Sequence, residues 1–578
     1  MKKGSRIFYT SPMKKYRWQL LILFLTGLVV GLLLILERRG GLGETSTPQP
    51  AQGGVYTEAL IGSLQRLNPL LDDENSVDRD VDSLIYSGLV RFDSRGIANP
   101  DLAQTIGVSQ DGILYNIQLK PGLVWHDNEP VTTKDVLFTI ELMRNGKGYI
   151  AKDIRQLWNS VEVHIFDDQN MQLKLPEAFA PFMDYLAFGI LPQHLFEGKN
   201  LEEIAASPLN LQPVGSGPYQ LEELIMENDT IAGVRLKAFT NYAGKAPYLQ
   251  EIVFRYYPDA QSAFNAFKEG LVQGISEIPA TLVPQALLNE NLNIYTGRLP
   301  RISLLLLNLD DVSVPYFQEA EVRRALLLSI DRQAILQQIF NGQAIQADSV
   351  ILPGTWAYND SIEPVPYDPQ AAEELLKNAG YVISGETDTV RKKEDIELSF
   401  VLSYPDDDLH LNIAKLIAEN WASIGVKVEL EAVPPDVFIA EKLDTRAYQA
   451  ALVDLNLSQT PDPDPYPFWD LGQAKTGQNY SQWKNRLASD SIEQARVTTN
   501  LAERTRLYHN FQAIFAEELP ALPLYYPVYN YGVSNLIKGV TMGPLFDTSD
   551  RLATIGDWFL TTVRTTEPTA ESETQPGN

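Results

Sequence analysis

The stretch DGILYNIQLKPGLVWHDNEPVTTKDVLFTIELM, residues 111–143, contains the local signals of a strand, two turns and a helix. Apolar side chains alternate over residues 113–119, which is the period of a half-buried strand. Pro121-Gly122 and residues 128–130 then supply the two turns. Thr132, followed three residues later by an aspartate, resembles a capping box, and the apolar spacing behind it predicts a helix.

His126 and Asp127 stand together in this stretch, and an adjacent histidine and aspartate could indicate catalysis. Successive side chains of a strand point to opposite faces, so these two cannot easily hydrogen-bond to each other. We therefore expect a pair that flanks a turn at a strand end, with Trp125 packing inward. The sequence predicts a structural role here rather than a catalytic dyad.

Length and composition limit the remaining possibilities. A chain of 578 residues is too long for one compact core, so two or three domains are expected. The net charge of −27 argues against a nucleic-acid partner, since phosphates require clustered Lys and Arg. The absence of cysteine removes disulfides, thiolate metal sites, cysteine nucleophiles and a lipid-modified cysteine anchor.

An apolar segment near the N-terminus predicts a location. LLILFLTGLVVGLLLIL, residues 20–36, carries no charge and is at the short end of what spans a bilayer. More basic residues precede it than follow it, which predicts a cytoplasmic N-terminus and an exported body. A retained anchor and a cleaved signal peptide both fit, and the missing A-x-A cleavage site favours the anchor. Residues 40–53 are predicted to be a flexible linker, and residues 563–578 a disordered tail.

Strands and helices alternate through the rest of the chain. Residues 395–402 alternate as a strand, residues 409–424 have helical spacing, and residues 426–430 are typical of a strand again. This succession is a βαβ unit, the mark of a parallel sheet. Asp368-Pro369 caps and starts a short helix that ends near Gly380. The chain is therefore predicted to be a multi-lobed α/β protein.

Known catalytic motifs do not occur in the sequence. His164, His194, His410 and His509 are scattered without metal-ligand spacing. There is no G-x-S-x-G, P-loop or G-x-G-x-x-G, and GSG at 215–217 is too short to hold a phosphate. Among 74 acidic residues no carboxylate pair stands out as a glycosidase acid and base. The sequence predicts no enzyme activity, no metal site and no cofactor.

An unusual stretch, DLNLSQTPDPDPYPFWDLG, occupies residues 454–472. Its prolines stiffen the chain, so we expect an extended loop outside any central ladder. Stiff loops with aromatic and acidic side chains suit ligand recognition, because little entropy is lost on binding. A structural loop that packs onto the body and a calcium loop are the alternatives, although the EF-hand spacing is absent. The residues predicted to contact ligand are Asp454, Asp462, Asp464, Tyr466 and Trp469, with Trp356 and Tyr358 of PGTWAYND on the same wall.

Several pieces of the sequence resemble one family in order along the chain. The opening stretch is similar to the signature segment of the extracellular solute-binding proteins of the peptide/nickel type, family 5. Members of this family are the receptors of ABC importers for peptides and related solutes. The further pieces are LIYSGLVRFDSRGIANPDLA (84–103), GILPQHLF (189–196), PVGSGPYQL (213–221), APYLQEIVFRYYPDAQSAFNAFKEG (246–270), VRRALLLSIDRQAIL (322–336), YDPQAAEELLKNAGY (367–381), PDPDPYPFW (461–469) and ELPALPLYYP (518–527).

The resemblance implies an α/β, two-lobed periplasmic-binding-protein fold (type II, large peptide-binding-type subclass) with a subdomain inserted in the first lobe. In peptide receptors of this type, an aspartate shortly before the Asp/Glu-Pro turn pairs with the peptide α-amine. That position falls on Gln459 in one alignment and on Asp454 in another, which leaves peptide specificity open. Mapped on this sequence, the first lobe takes residues 54–88, 205–302 and 524–562, the inserted subdomain 89–204, and the second lobe 303–523.

The resemblance also implies the function. The chain would capture a small solute in the cleft between its lobes and deliver it to an ABC importer, without chemistry of its own. The expected partners are a peptide or similar solute, the permease subunits, and the membrane through the N-terminal helix; a monomer with an extracytoplasmic body is expected. An exported hydrolase and a ligand-sensing receptor are the alternatives. Dipeptides, oligopeptides, oligosaccharides, opines and metal chelates all fit such a scaffold.

Overall fold

The computed structural model describes residues 24–30, 48–385, 388–457 and 461–564. Gln52–Leu560 form one compact unit, and the described residues on either side of it belong to a second, smaller one. The predicted local elements of the opening stretch are present. The strand Leu114–Leu119 and the helix Thr133–Asn145 lie where expected, and both hydrogen bonds of the capping box are formed between Thr132 and Asp135.

The smaller unit contains a helical segment, residues 24–30, and a short ladder. Pro48–Ala51 pair antiparallel with Thr561–Arg564, although residues 48–51 were predicted to be linker and residues 563–564 the start of a disordered tail. Main-chain hydrogen bonds do not require apolar side chains, so a polar sequence can form such a ladder. Most of the predicted membrane span, residues 20–36, lies outside the described residues. Among the described residues, no helix has the length and apolar character to cross a membrane.

The larger unit alternates strands with helices. Its strands are Val55–Ile61, Val90–Phe92, Ala98–Pro100, Ala103–Val108, Leu114–Leu119, Glu162–Ile165, Asn170–Lys174, Tyr219–Glu227, Thr230–Ala238, Glu251–Tyr257, Gly274–Ile275, Leu292–Arg298, Arg301–Leu307, Ala344–Gln346, Lys392–Lys393, Ile396–Glu397, Ser399–Pro405, Lys427–Val433, Ala450–Asn456 and Ala521–Ser534. Its α-helices are Ser76–Ile85, Thr133–Asn145, Lys152–Ser160, Gln193–Phe196, Leu201–Ala205, Ala260–Lys268, Val283–Ala286, Ala320–Leu328, Arg332–Gln338, Pro369–Asn378, Asp408–Ser423, Pro435–Phe438, Tyr466–Trp469, Arg486–Val497 and Leu501–Glu518. Short 3-10 turns include Ala180–Leu186 and Thr548–Leu552.

The predicted βαβ unit is confirmed. Ser399–Pro405 and Lys427–Val433 pair in parallel, and the helix Asp408–Ser423 connects them. The first strand begins four residues later than the prediction of 395–402, because a tight antiparallel pairing of Lys392–Lys393 with Ile396–Glu397 precedes it. The helix Pro369–Asn378 is capped by Asp368, as predicted.

A large mixed sheet runs through the whole unit. The strand Ala521–Ser534 lies at its centre, flanked by Arg301–Leu307 on one side and Gly274–Ile275 on the other. The first part of this strand pairs with Arg301–Leu307, and its last part pairs with Leu292–Arg298. The chain also crosses between the two halves of the sheet at Leu299-Pro300, between Leu292–Arg298 and Arg301–Leu307. Within the described part of the chain, two crossings therefore join the halves.

Each half of the sheet has a core on both faces. In one half, a large cluster centred on Tyr56, Trp125 and Trp558 covers one face, and a smaller cluster with Phe264 and Ile275 covers the other. In the other half, one cluster contains Trp421 and the opposite one contains Trp469. Residues 103–174 add a separate four-stranded antiparallel sheet. The borders between lobes at 88, 204, 302 and 523 stay predictions.

Candidate functional site

His126 and Asp127, which raised the question of catalysis, hold parts of the scaffold together. The Gly215 N–H donates to His126 Nδ1 at 3.1 Å, so the ring proton lies on Nε2, which donates to the Gly217 carbonyl at 3.1 Å. Burial lowers the His126 pKa to about 4, so the ring is neutral. Asp127 contacts His194 instead, at 2.9 Å. Both ring nitrogens of His126 are thus used by main chain, as a structural role requires.

The Gly215-Ser216-Gly217 turn beside His126 is a close approach of two chain segments rather than a phosphate loop. A Cβ on Gly215 would lie 1.9 Å from the Ile85 carbonyl oxygen, and one on Gly217 would lie 2.5 Å from that of Leu84. Glycine is therefore required because main chain meets main chain at the end of the helix Ser76–Ile85.

The predicted ligand loop is centred on a buried ion pair. Asp462 Oδ2 lies 2.6 Å from Arg504 Nη2, and both side chains are almost fully buried. Tyr508 donates its hydroxyl to Asp462 Oδ1 at 3.2 Å and accepts from Arg504 at 3.0 Å. Arg504 and Tyr508 lie four residues apart on the helix Leu501–Glu518, so one helix face supplies both partners. We call Asp184, Asp462, Asp464, Arg496, Arg504 and Tyr508 the Asp462 cluster.

Asp184 joins this cluster from the predicted inserted subdomain. The Asp462 N–H donates to Asp184 Oδ2 at 2.6 Å. Burial, and then the charge of Asp462, raise the pKa of Asp184 well above its usual range. A neutral Asp184 carboxyl avoids placing two buried negative charges side by side. The contact links residues that are 278 positions apart in the sequence.

Asp464 and Tyr466 both contact Arg496. Arg496 Nε lies 3.1 Å from Asp464 Oδ1, and its guanidinium lies 4.2 Å from the centre of the Tyr466 ring and 5.0 Å from that of Phe179. Burial raises the Asp464 pKa to about 6, against the charge of Arg496. A cationic solute would therefore have to compete with arginine at both carboxylates of the loop.

The loop is less extended than the prolines predicted. Tyr466–Trp469 form a short helical turn with proline in its first turn. Proline is tolerated there, because the N–H that it lacks would have no partner inside the helix. Ser458, Gln459 and Thr460 lie outside the described residues, and with them the alternative position for an amine-binding residue.

The two tryptophans predicted to contact ligand are buried. Trp469 is 2% exposed and packs edge-on against Phe515, with ring centres 4.8 Å apart. The Trp356 ring lies 5.1 Å from the Arg504 guanidinium, and the main-chain N–H of Trp356 donates to the Arg95 carbonyl at 3.2 Å. Ligand contact by either ring stays a prediction, and the packing of Trp469 favours the structural alternative.

Tyr358 and Asp454 are more accessible. Tyr358 is half-buried next to the loop around Gly354, and burial raises its pKa. Asp454 lies 3.7 Å from His410 Nε2, while His410 Nδ1 contacts Asp407 at 2.7 Å. Burial lowers the His410 pKa, but the hydrogen bonds and charges of Asp454 and Asp407 outweigh it and raise the pKa. The structure therefore divides the predicted residues between the Asp462 cluster, the Asp454–His410 contact and the core.

Sequence reasoning missed Asp184, Arg496 and Arg504, because nothing near them in the sequence marks them. Arg504 alone gives a weak local signal, because it is a charged residue on the buried side of the helix Leu501–Glu518, together with Leu507 and Tyr508. The lining of a pocket of about 420 Å³ includes Arg324, Asp348 and Glu517. No group of three metal-ligating side chains occurs in the described part of the chain.

The model of the family "Bacterial extracellular solute-binding proteins, family 5 Middle" matches residues 98–478. The chain belongs to this family. It is a solute-binding family of ABC importers, not a family of enzymes. The family-5 assignment agrees with the predicted two-lobed α/β fold, which the related structures share.

Relatives of this family-5 chain cover nearly its whole body. It is 25% identical to the dipeptide-binding protein of Escherichia coli over 87% of this chain and 96% of the relative. It is 25% identical to the oligopeptide-binding protein AppA of Bacillus subtilis over 89% and 93%. The fold also matches that of HbpA2 from Haemophilus parasuis, with a TM-score of 0.75 at 19% identity over 85% of this chain and 97% of HbpA2.

Proposed function

We propose that this protein is the receptor of a peptide importer: it captures a peptide or a peptide-like solute and presents it to the permease subunits of an ABC transporter. The observation that carries the proposal is the family match over residues 98–478, together with the likeness to a dipeptide-binding protein over 87% of the chain. Relatives named for dipeptides and oligopeptides support a peptide as the solute.

We infer that the solute binds where the two halves of the sheet are joined. The crossing at Leu299-Pro300 lies at this junction, and the loop that carries Trp356 and Tyr358 approaches it, since a Cβ on Gly354 would lie 3.4 Å from Arg298 Nη1. Support also comes from contacts between the predicted inserted subdomain and the predicted second lobe, where the Asp462 N–H donates to Asp184 and the Trp356 main-chain N–H donates to the Arg95 carbonyl. A junction at which two segments of the described chain cross suits hinge closure over a ligand.

We propose further that the N-terminal segment retains the protein at the membrane, with its body outside. The charge asymmetry around residues 20–36 supports this topology. N-terminal sequencing of the mature protein and membrane fractionation test it. A mature N-terminus between Gly40 and Gly54, with release of the protein into the medium, would exclude the anchor.

The solute can be identified with the full-length chain purified in mild detergent. Mass spectrometry of small molecules that co-purify should find peptides, and calorimetry with defined dipeptides, tripeptides and longer peptides should give saturable binding. A nickel–histidine chelate and an oligosaccharide serve as comparison ligands. Binding of one of these in place of every peptide would refute the peptide assignment. Chromatography of the peptides after incubation would reveal cleavage, the result that an exported hydrolase predicts.

A further inference from the structure

Four exposed leucines lie at one end of the large sheet, on three segments that main-chain hydrogen bonds hold together. The segments are residues 268–273, 285–291 and 535–538, and the leucines are Leu271, Leu287, Leu288 and Leu536, each between 62% and 83% exposed. The Asn535 N–H donates to the Asn291 carbonyl at 2.9 Å. The neighbouring Ser534 N–H donates to the Gln273 carbonyl at 2.7 Å. Single apolar side chains are normal on a surface, but four on adjoining segments, here called the leucine patch, indicate a contact surface.

The leucine patch lies in an uncharged part of an acidic chain. Its three segments together contain two lysines and two glutamates, namely Lys268, Lys538, Glu269 and Glu290, so their net charge is zero. The whole chain, by contrast, carries a net charge of −27. An anionic lipid surface repels acidic regions, so a neutral apolar region is where this body can approach a membrane most closely.

The chain enters the larger unit at the same end of the sheet. The strand Val55–Ile61 begins beside the leucine patch, because the Gln273 N–H donates to the Thr57 carbonyl at 2.7 Å. The Thr57 N–H in turn donates to Gln273 Oε1 at 3.0 Å. Residues 37–51, between the predicted membrane span and the larger unit, can reach at most about 50 Å. In the proposed anchored protein, the tether therefore holds this end of the sheet nearest to the bilayer.

We propose that the leucine patch rests on the lipid surface of the membrane, with its side chains inserted between the headgroups. The inference rests on the proposed anchor and goes beyond it, because it assigns the face of the body that meets the bilayer. Leucine side chains gain free energy on leaving water, and a tether makes even a weak contact persistent by keeping the local concentration high.

The contact leaves the proposed solute site accessible. The strand Leu292–Arg298 begins at the leucine patch and ends at the junction between the halves of the sheet. A strand of this length spans about 20 Å, so the junction stays clear of the headgroups. The predicted second lobe, beyond the junction, can then move while the first lobe rests on the membrane.

The test measures the depth of a label in vesicles that carry the full-length protein. The sequence has no cysteine, so Leu536→Cys provides one site for an environment-sensitive fluorophore. The vesicles consist of phosphatidylcholine, with or without lipids that carry a nitroxide quencher near the headgroup. The label on Leu536→Cys should lose most of its fluorescence when the quencher is present. Leu287→Gln together with Leu288→Gln in the same protein should restore much of it, because amide side chains favour water.

Val312→Cys is the matched control, because it is 90% exposed but belongs to the predicted second lobe. Its label should keep its fluorescence with either lipid mixture. Thermal melts of the double glutamine variant should match those of the unaltered protein, because both leucines are exposed. A lower melting temperature would show that the two leucines pack within the body, and would contradict the inference.

Flotation of the vesicles tests the anchor separately. If the protein does not float with them, the anchor has failed and the inference with it. If it floats and the Leu536→Cys label is quenched no more than the Val312→Cys label, the anchor stands and the inference is wrong. Energy transfer between Leu536→Cys labels on different copies, without quenching by the lipid, would also overturn it, because the leucine patch would then join two copies of the chain.

Discussion

The ion pair between Asp462 and Arg504 should dominate the stability of its region. Losing one partner leaves the other charge buried without compensation, so Arg504→Met and Asp462→Ala should each lower the free energy of unfolding by about 3–5 kcal/mol. The double variant should recover part of this loss, because neither charge is then left unpaired. Urea melts followed by tryptophan fluorescence measure all three variants.

The control for this pair lies on the same helix. Glu503 and Arg506 form an exposed pair at 2.6 Å, and Glu503→Ala should change the melts little, because solvent screens that interaction. Equal effects of Glu503→Ala and Asp462→Ala would mean that Asp462 is solvated. Peptide affinities measured on the same variants would separate a ligand role of Asp462 from a structural one.

The raised pKa of Asp464 makes the stability of the protein depend on pH. Burial raises its pKa to about 6, above the ordinary 3.8, so the folded chain holds this proton more tightly than the unfolded chain. The bound proton therefore contributes to the free energy of unfolding in full below about pH 4, and this contribution is lost as the pH rises through about 6. The contribution is about 3 kcal/mol at most. Asp464→Asn should flatten the stability profile between pH 4 and 7 relative to the unaltered protein. Parallel profiles for the two proteins would contradict the raised pKa.

Individual residues of the site were only partly predictable. Asp462 and Asp464 were singled out because acidic residues between prolines are unusual, but their partners were not. Arg504, Arg496 and Asp184 approach through tertiary packing, across 42, 32 and 278 positions. No local pattern encodes such contacts, so the sequence could not distinguish a carboxylate that is free for ligand from one that is already paired.

Among the elements, the helix Thr133–Asn145 offers a direct test of a local signal. The Thr132 side chain caps its first turn, and Asp135 bonds back to the Thr132 N–H at 2.8 Å. Thr132→Ala should lower the free energy of unfolding by about 0.5–2 kcal/mol, because one main-chain donor loses its acceptor. Thr505→Ala, at a half-buried position in the interior of the helix Leu501–Glu518, is the control and should be neutral or slightly stabilising. If Thr132→Ala leaves the free energy of unfolding unchanged, water has replaced the threonine side chain as the acceptor for the helix N–H.

Elements specified by neighbouring residues were predicted well. The capping box, the helix after Asp368 and the parallel βαβ unit depend on spacing and caps within a few residues, and all three are present. The loop after Asp454 was predicted less well, because proline excludes a helix interior but permits a helical first turn, which Tyr466–Trp469 form. The order of similar segments along the chain, more than any single motif, predicted the fold.

For the whole molecule, the proposed hinge closure can be measured directly. The sequence has no cysteine, so two introduced cysteines carry fluorophores at unique positions. Met226→Cys and Ile439→Cys place labels on exposed sites in opposite halves, 54% and 56% exposed. Saturating peptide should shorten the mean donor–acceptor distance, because closure brings the halves together around the ligand.

A second labelled pair controls for local effects of the peptide. Met226→Cys and Leu288→Cys place both labels within one half, since both sites belong to the predicted first lobe. Its energy transfer should not change when peptide is added. An unchanged distance in the first pair, at peptide concentrations that calorimetry shows to be saturating, would argue against hinge closure.

The strand Ala521–Ser534 also constrains when the molecule can fold. It lies at the centre of the sheet and pairs with strands of both halves, yet it is encoded near the end of the chain. A ribosome makes the chain from its N-terminus, so neither half has its central ladder until residue 534 has been added. Strands on each side can pair before then, because Val55–Ile61 pairs with Glu251–Tyr257 and Arg301–Leu307 pairs with Ala450–Asn456. What the late strand decides is the joining of the two halves into one sheet, which has to wait for almost the last part of the chain to be made.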